Sequence, residues 1–190
     1  MSEDAKAGAN APGRVAAVVF SASDDVDAVL HAAVAALRGQ GLRVGGLLQR
    51  LGAEIRPRKH EMLLEVLETG ESIRLDAPRG TQTRACTLDT DALARAAMSL
   101  RAALQGRPDV LVVSRFGKQE ATGSGMRDEI AEAVLSDIAV LVAVSDALLA
   151  DWEAFLGGGG CVLPADGDAI LQWAKSAVAP AHVPEGCSPV

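Results

Sequence analysis

Residues 109–127 read DVLVVSRFGKQEATGSGMR, which is a short apolar run, then a polar loop with three glycines, then the start of a helical pattern. An apolar run bounded in this way is typical of a strand buried on both faces of a parallel sheet. Ligands of such sheets bind beyond the carboxyl ends of the strands. We therefore expect a ligand beside the three cations of this stretch, Arg115, Lys118 and Arg127.

Apolar runs and helical patterns alternate on both sides of this stretch. The alternation predicts an α/β fold, a three-layer sandwich whose mainly parallel sheet is covered by helices on both faces. The predicted strands are 14–20, 43–49, 110–113, 139–144 and 161–163. The predicted helices are 24–38, 89–104, 124–135, 147–155 and 166–177.

Residues 62–67 and 72–75 interrupt the alternation, because they are two short apolar pieces on either side of the turn-like sequence ETGE. This pattern predicts a β-hairpin inserted into the sheet. A helix over 61–67 is the alternative. The exposed edge of such a hairpin would also suit a partner protein or a homodimer.

Composition limits the classes of function. With 190 residues, 49% of them hydrophobic, we expect a single domain over 14–178, between a disordered tail at 1–13 and a second tail at 179–190. The net charge of −7 argues against nucleic-acid binding, which needs a clustered basic surface. The apolar runs are shorter than the roughly 18 residues of a membrane span, and no secretory signal pattern opens the chain. Three cysteines without a CxxC pair suit reduced thiols, so we expect a cytoplasmic protein.

The loop after the first predicted strand reads SASDDVD and does not match the phosphate-binding pattern GxxxxGK[ST]. We expect Ser23 or Asp24 to cap the first helix, with Asp25 and Asp27 in its first turn, where the helix dipole favours carboxylates. The alternative is that Asp24 or Asp25 holds Mg²⁺ or a substrate hydroxyl. The three histidines are scattered without metal-binding spacing, so no resident metal is predicted.

A second basic segment follows the second predicted strand, where Gln49 and Arg50 precede the run RPRKH at 56–60. Because parallel strands end at one edge of a sheet, this segment and the 115–127 loop should meet there and hold a small anion through arginine contacts. The alternative is solvated surface charge. Glycines would let the backbone approach the ligand, and Glu120 would orient Lys118 or Arg115. The candidate ligand site comprises Ser21, Ser23, Gln49, Arg50, Arg115, Gly117, Lys118, Glu120, Gly123, Gly125 and Arg127.

Three segments together resemble the DUF2478 family of uncharacterised bacterial proteins, over nearly all of residues 14–173. They are RVAAVVFSASDDVDAVL through GLRVGGLLQR, then CTLDTDALARAA, and then DVLVVSRFGKQEATGSGMRDEIAEAVLSDIAVLVAV with the trailing DWEAFLGGG. The loop R-F-G-K-x-E-x-x-G-x-G-x-R at 115–127 is the most specific part. The resemblance implies a layout like that of P-loop nucleoside triphosphatases of the THEP1 and molybdopterin-guanine-dinucleotide accessory type. It also implies an association with molybdenum handling.

The sequence departs from an active nucleoside triphosphatase in two places. The first loop lacks Gly-Lys-Ser/Thr, and Ser114 and Arg115 stand where a carboxylate would hold Mg²⁺. We therefore expect an accessory protein that binds a nucleotide or an oxyanion such as molybdate on a degenerate scaffold. The alternatives are a Mg²⁺-dependent nucleoside triphosphatase or transferase, and a protein-interaction module.

Overall fold

The computed structural model describes residues 13–56, 59–76 and 89–178. The predicted tails lie outside this part of the chain, apart from residue 13, and so do Cys86, Cys187 and His182. Within the described residues, no helix is long and apolar enough to cross a membrane.

A seven-stranded sheet forms the centre of the molecule, in the order β4-β3-β2-β5-β6-β1-β7. Strands β2, β5, β6, β1 and β7 are parallel, and β3 and β4 are antiparallel additions at one edge. The strands are β1 (Val15–Phe20), β2 (Val44–Arg56), β3 (Lys59–Val66), β4 (Ser72–Arg74), β5 (Val110–Phe116), β6 (Ala139–Ser145) and β7 (Cys161–Pro164). The helices are α1 (Val26–Gly39), α2 (Thr90–Gln105), α3 (Lys118–Ala121), α4 (Arg127–Val134), α5 (Leu149–Leu156) and α6 (Gly167–Val178).

Helices cover both faces of the sheet, which confirms the predicted three-layer α/β sandwich. One hydrophobic cluster joins one face of the sheet to α1 and α6, and a second joins the other face to α2, α4 and α5. Val110–Val113 of β5 are all 0% exposed. The continuous apolar runs predicted these buried strands correctly, because a strand covered on both faces has no solvent-facing side for polar residues.

The inserted hairpin is also present, as β3 and β4 pair antiparallel through Leu63 and Arg74, Leu64 and Ile73, and Glu65 and Ser72. The alternative helix over 61–67 is wrong. Leu64 and Val66 enter the core while Glu65 between them stays half-exposed, which is the period of a strand.

Two of the differences between predicted and observed bounds affect the surroundings of the predicted ligand site. Strand β2 continues to Arg56 because it pairs with β3 beyond the point where it leaves β5, and the two form a long antiparallel ribbon. The helix predicted over 124–135 begins only at Arg127, after the short helix α3. Gly123 and Gly125 lie between them at φ +92° and +69°, which no helix continues through.

Candidate functional site

The carboxyl ends of β2 and β5 diverge and leave an open cleft at the edge of the sheet. Their parallel pairing ends at Leu47 and Val113. The cleft has a volume of about 330 Å³ and lies on the α2 side of the sheet. Its polar lining is Gln49, Ser114, Arg115, Gly117, Lys118, Gln119 and Glu120, and its apolar lining is Met62, Leu64, Leu75, Leu93 and Met126.

Arg115 ties the cleft to helix α1. Its Nη2 donates to Asp27 Oδ2 at 2.8 Å, and its guanidinium lies 4.9 Å from the centre of the Phe20 ring, within the range of a cation–π contact. Gln49 Nε2 also approaches Asp27 Oδ2, at 3.4 Å. The position of the guanidinium is therefore fixed by a carboxylate and an aromatic ring.

Three buried polar atoms around this ion pair have no hydrogen-bond partner among the described residues: Asp27 Oδ1, Ser114 Oγ and Arg115 Nε. Leaving such a group unpaired costs about 1–3 kcal/mol, so native proteins rarely do so without a reason. Two of the three belong to residues that line the cleft, and both can donate a proton. The cleft therefore borders unused hydrogen-bonding capacity.

Lys118 adds an exposed cation to the lining of the cleft. Its side chain is exposed, and within the described part of the chain its ammonium forms no salt bridge. Arg115, by contrast, is already paired with Asp27. Lys118 is therefore an exposed positive charge of the cleft lining that is available to an incoming anion.

Glu120 has a different role from the one expected of it. It is 5% exposed, and its two carboxylate oxygens accept from the backbone N–H of Gly117 at 2.9 Å and of Met126 at 3.0 Å. The prediction that it orients Lys118 or Arg115 is wrong, because both oxygens are committed to the backbone of the loop. Glu120 holds the α3–α4 connection in shape.

Arg127 also supports the loop and is not part of the cleft lining. Its Nη1 donates to the carbonyl of Glu120 at 2.7 Å, and its guanidinium lies 4.5 Å from the Phe155 ring centre on α5. Gly123 and Gly125 form the turn between α3 and α4 and likewise stay outside the lining. The motif is thus divided between residues that shape the loop and residues that face the cleft.

The carboxylates of the β1–α1 loop accept hydrogen bonds from groups close to them in the chain. Asp24 Oδ2 accepts from the N–H and the hydroxyl of Ser21 at 2.7 and 2.8 Å, and these hydrogen bonds, the backbone one foremost, hold the pKa of Asp24 below its usual value. Ser23 Oγ lies 2.7 Å from Ser21 Oγ. The cap of α1 is Asp25, which accepts from Ala28 N at 3.1 Å, so the prediction of Ser23 or Asp24 as the cap is wrong.

Ser21, Ser23 and Arg50 therefore lie outside the cleft lining. Arg50 neighbours Gln49 but points to the other side of the strand, where it forms an exposed contact of 3.8 Å with Glu65. Backbone pairing places Arg56 and Lys59 at the far end of the β2–β3 ribbon. The side chains of these two residues and the whole of Arg58 lie outside the described part of the chain. The described residues contain no group of three or more His, Cys, Asp or Glu able to hold a metal ion.

Sequence reasoning missed several residues of the cleft. Ser114 carried a usable signal, because it is the first polar residue after a buried apolar run. Asp27 was assigned to the helix dipole alone. The apolar wall had no local signal, since Met62, Leu75 and Leu93 come together only through the sheet order.

The family model described as "Protein of unknown function (DUF2478)" matches residues 15–173. The chain belongs to this family. A curated relative, "Molybdenum import ATP-binding protein ModC 2" of Bradyrhizobium diazoefficiens, is 36% identical over 162 residues, which are 85% of this chain and 18% of that protein. This DUF2478 chain thus spans less than a fifth of its relative's length.

Two solved structures have the same fold. A human cancer-related nucleoside triphosphatase aligns with a TM-score of 0.61 at 15% identity, over 87% of this chain and 95% of that one. THEP1 from the hyperthermophile Aquifex aeolicus aligns with a TM-score of 0.52 at 14% identity, over 86% and 99%. The predicted P-loop nucleoside triphosphatase-like fold is confirmed, and at these identities the likeness concerns the fold alone.

Proposed function

We propose that this protein is an accessory protein that binds an oxyanion group in the cleft between β2 and β5 and does not hydrolyse nucleoside triphosphates. Lys118 supplies the free positive charge. Arg115 Nε and Ser114 Oγ supply fixed donors. The unpartnered buried donors beside the cleft are the observation that supports this most directly.

The signs of the charges favour oxyanion binding in this cleft over binding in the β1–α1 loop. An oxyanion entering the cleft meets Lys118 and the exposed part of Arg115, and charge-assisted hydrogen bonds to such groups are the stronger kind. An oxyanion entering the β1–α1 loop meets Asp24, whose carboxylate already uses the donors of Ser21, and Asp25, which caps the helix. Repulsion between like charges therefore opposes triphosphate binding at that loop.

A link to molybdenum handling is the finer part of the proposal. It is supported by the printed name of the relative and by the chemistry of molybdate, a tetrahedral oxyanion that arginine and lysine can bind as they bind phosphate. Molybdate therefore belongs among the first anions to be measured.

Isothermal titration with inorganic phosphate and with molybdate tests the proposal. We expect saturable binding of at least one anion to the intact protein, and a drop in affinity of about tenfold or more in Lys118→Ala, because a charge-assisted hydrogen bond contributes roughly 1.5–3 kcal/mol. Lys175→Ala is the matched control, since Lys175 is an exposed lysine on α6, on the opposite face of the sheet.

Two results would contradict the proposal. One is that phosphate, molybdate and simple phosphate monoesters all fail to bind up to millimolar concentration. The other is Mg²⁺-dependent release of phosphate from a nucleoside triphosphate that is lost in Asp25→Asn and kept in Lys118→Ala, which would assign the chemistry to the β1–α1 loop.

A further inference from the structure

The apolar side of the cleft is as distinctive as its polar side. Five apolar side chains form it, from four separate parts of the fold: Met62 and Leu64 of β3, Leu75 after β4, Leu93 of α2 and Met126 before α4. These five side chains, the apolar wall, line the same cleft as the polar groups of Ser114, Arg115 and Lys118. A single cavity therefore combines an apolar wall with charged and hydrogen-bonding groups.

A bare tetrahedral oxyanion would leave most of this space unused. Such an ion takes roughly the room of three water molecules, or about 90 Å³ at about 30 Å³ per water. The cleft holds about 330 Å³, which lies at the lower end of the volumes of small-molecule sites. The remaining volume borders the apolar wall, which gives water few hydrogen-bonding partners.

We infer that the ligand is an organic phosphate, a phosphate monoester whose aromatic or heteroaromatic body lies against the apolar wall while its phosphate meets Lys118, Arg115 and Ser114. This rests on the proposed function and specifies its ligand class. Two methionines in the wall favour a planar body, because the flexible thioether adapts to the shape of a ring and makes favourable contacts with it. The divided lining matches the usual plan of such sites, in which apolar contact supplies area and a few polar groups fix orientation.

Leu93 offers a way to separate the two halves of the site. It is half-exposed in the first turns of α2 and lines the cleft, whereas Met98 on the same helix is 73% exposed and lies outside the lining. Leu93→Gln should therefore weaken the apolar contacts of the wall and leave the charged side chains of the cleft in place. Met98→Gln is its matched control.

The experiment compares phenyl phosphate with methyl phosphate, which carry the same charged group and differ in the apolar body. We expect phenyl phosphate to bind the intact protein about tenfold or more tightly, because burial of the ring removes apolar area from water. Leu93→Gln should remove most of that preference, so that the two esters bind with similar affinities. Lys118→Ala should weaken both ligands by a similar factor, and Met98→Gln should change neither.

The outcomes separate this inference from the proposal beneath it. Equal affinity for the two esters in the intact protein, with both binding, would overturn the organic ligand and leave an inorganic oxyanion site. A preference for phenyl phosphate that Leu93→Gln does not reduce would overturn the assignment of the wall. Binding of neither ester, nor of inorganic phosphate or molybdate, would overturn the proposed function itself.

Discussion

The Glu120 carboxylate shows how one residue shapes the loop beside the cleft. It spans the loop by accepting from Gly117 N and Met126 N, so the backbone from β5 to α4 wraps around a single buried anion. A Cβ atom at Gly125 would lie 2.2 Å from Glu120 Oε1, and one at Gly117 would lie 3.3 Å from Oε2. Glycine at 125 is thus required by the close approach of Glu120 as well as by its positive φ.

Two glycines of this loop provide a matched pair of substitutions. Gly123 and Gly125 both have positive φ, but an added Cβ meets open space at Gly123 and the Glu120 carboxylate at Gly125. We expect Gly123→Ala to lower the free energy of unfolding by about 1–2 kcal/mol through backbone strain. Gly125→Ala should lose about 1–3 kcal/mol more, because Glu120 must move and release Met126 N. Urea denaturation measures both, and equal losses would show that Glu120 does not constrain this position.

At the scale of elements, a buried carboxylate fixes the hairpin that supplies part of the apolar wall. Asp76 accepts from Arg74 Nη2 at 3.0 Å and Nε at 3.2 Å, and from Met62 N at 3.1 Å. Burial by itself raises the pKa of Asp76, but the hydrogen bonds from Arg74 and Met62 outweigh it, and the pKa lies below its usual value. Leu75 lies between Arg74 and Asp76 in the chain, so its position depends on this cluster.

The Asp76 cluster should make stability depend on pH. Because the pKa of Asp76 is lower in the folded protein, its contribution is present above the unfolded pKa of about 3.9 and is lost as the pH falls through the folded pKa. We expect Asp76→Asn to lower the free energy of unfolding by about 1–2 kcal/mol at pH 7, and by less as the pH falls below about 4.

Asp137→Asn is the control for this measurement, since Asp137 is exposed between α4 and β6, lies in no helix, and should change stability little when replaced. A deficit of Asp76→Asn that stays constant from pH 7 to pH 3 would mean that its charge does not stabilise the hairpin.

The elements themselves could be predicted from the sequence because their signals are local. Continuous apolar runs identified the buried strands β5 and β6, and helical spacing identified α1 and α2 within a few residues. Strand β2 was predicted too short, because its second half is held by pairing with β3, and such pairing has no local signature. The split between α3 and α4 could have been read from Gly123 and Gly125, had a positive φ been assigned to them.

The residues of the site could be predicted only in part. The side of the sheet that a strand residue faces, and the partner that its side chain meets, depend on the register of the strands. Gln49 and Arg50 end the same predicted strand, yet alternate residues point to opposite sides, so Gln49 lines the cleft and Arg50 does not. The expected meeting of Arg50 and Arg115 in one pocket is therefore not found. Arg127 and Glu120 were predicted to be ligand groups because they are charged residues in a loop. The sequence does not show that each of these side chains binds the backbone of the same loop.

At the scale of the whole molecule, acidic and basic side chains occupy different positions along one edge of the sheet. The chain carries a net charge of −7, and its β1–α1 loop holds the carboxylates of Asp24 and Asp25, which accept hydrogen bonds from Ser21 and Ala28. The positive groups Arg115 and Lys118 stand instead beyond β5. The fold that this chain shares with two solved nucleoside triphosphatases thus carries acidic residues in its β1–α1 loop, and the proposed anion site lies beyond β5.

A crystal soaked in tungstate tests this account most directly, because tungsten scatters anomalously and marks the bound oxyanion without reference to any assay. We predict an anomalous peak in the cleft, within hydrogen-bonding reach of Lys118 Nζ and the Arg115 guanidinium, and its loss in Lys118→Ala. A peak beside Ser21 and Ser23 in the β1–α1 loop, with the cleft empty, would contradict it.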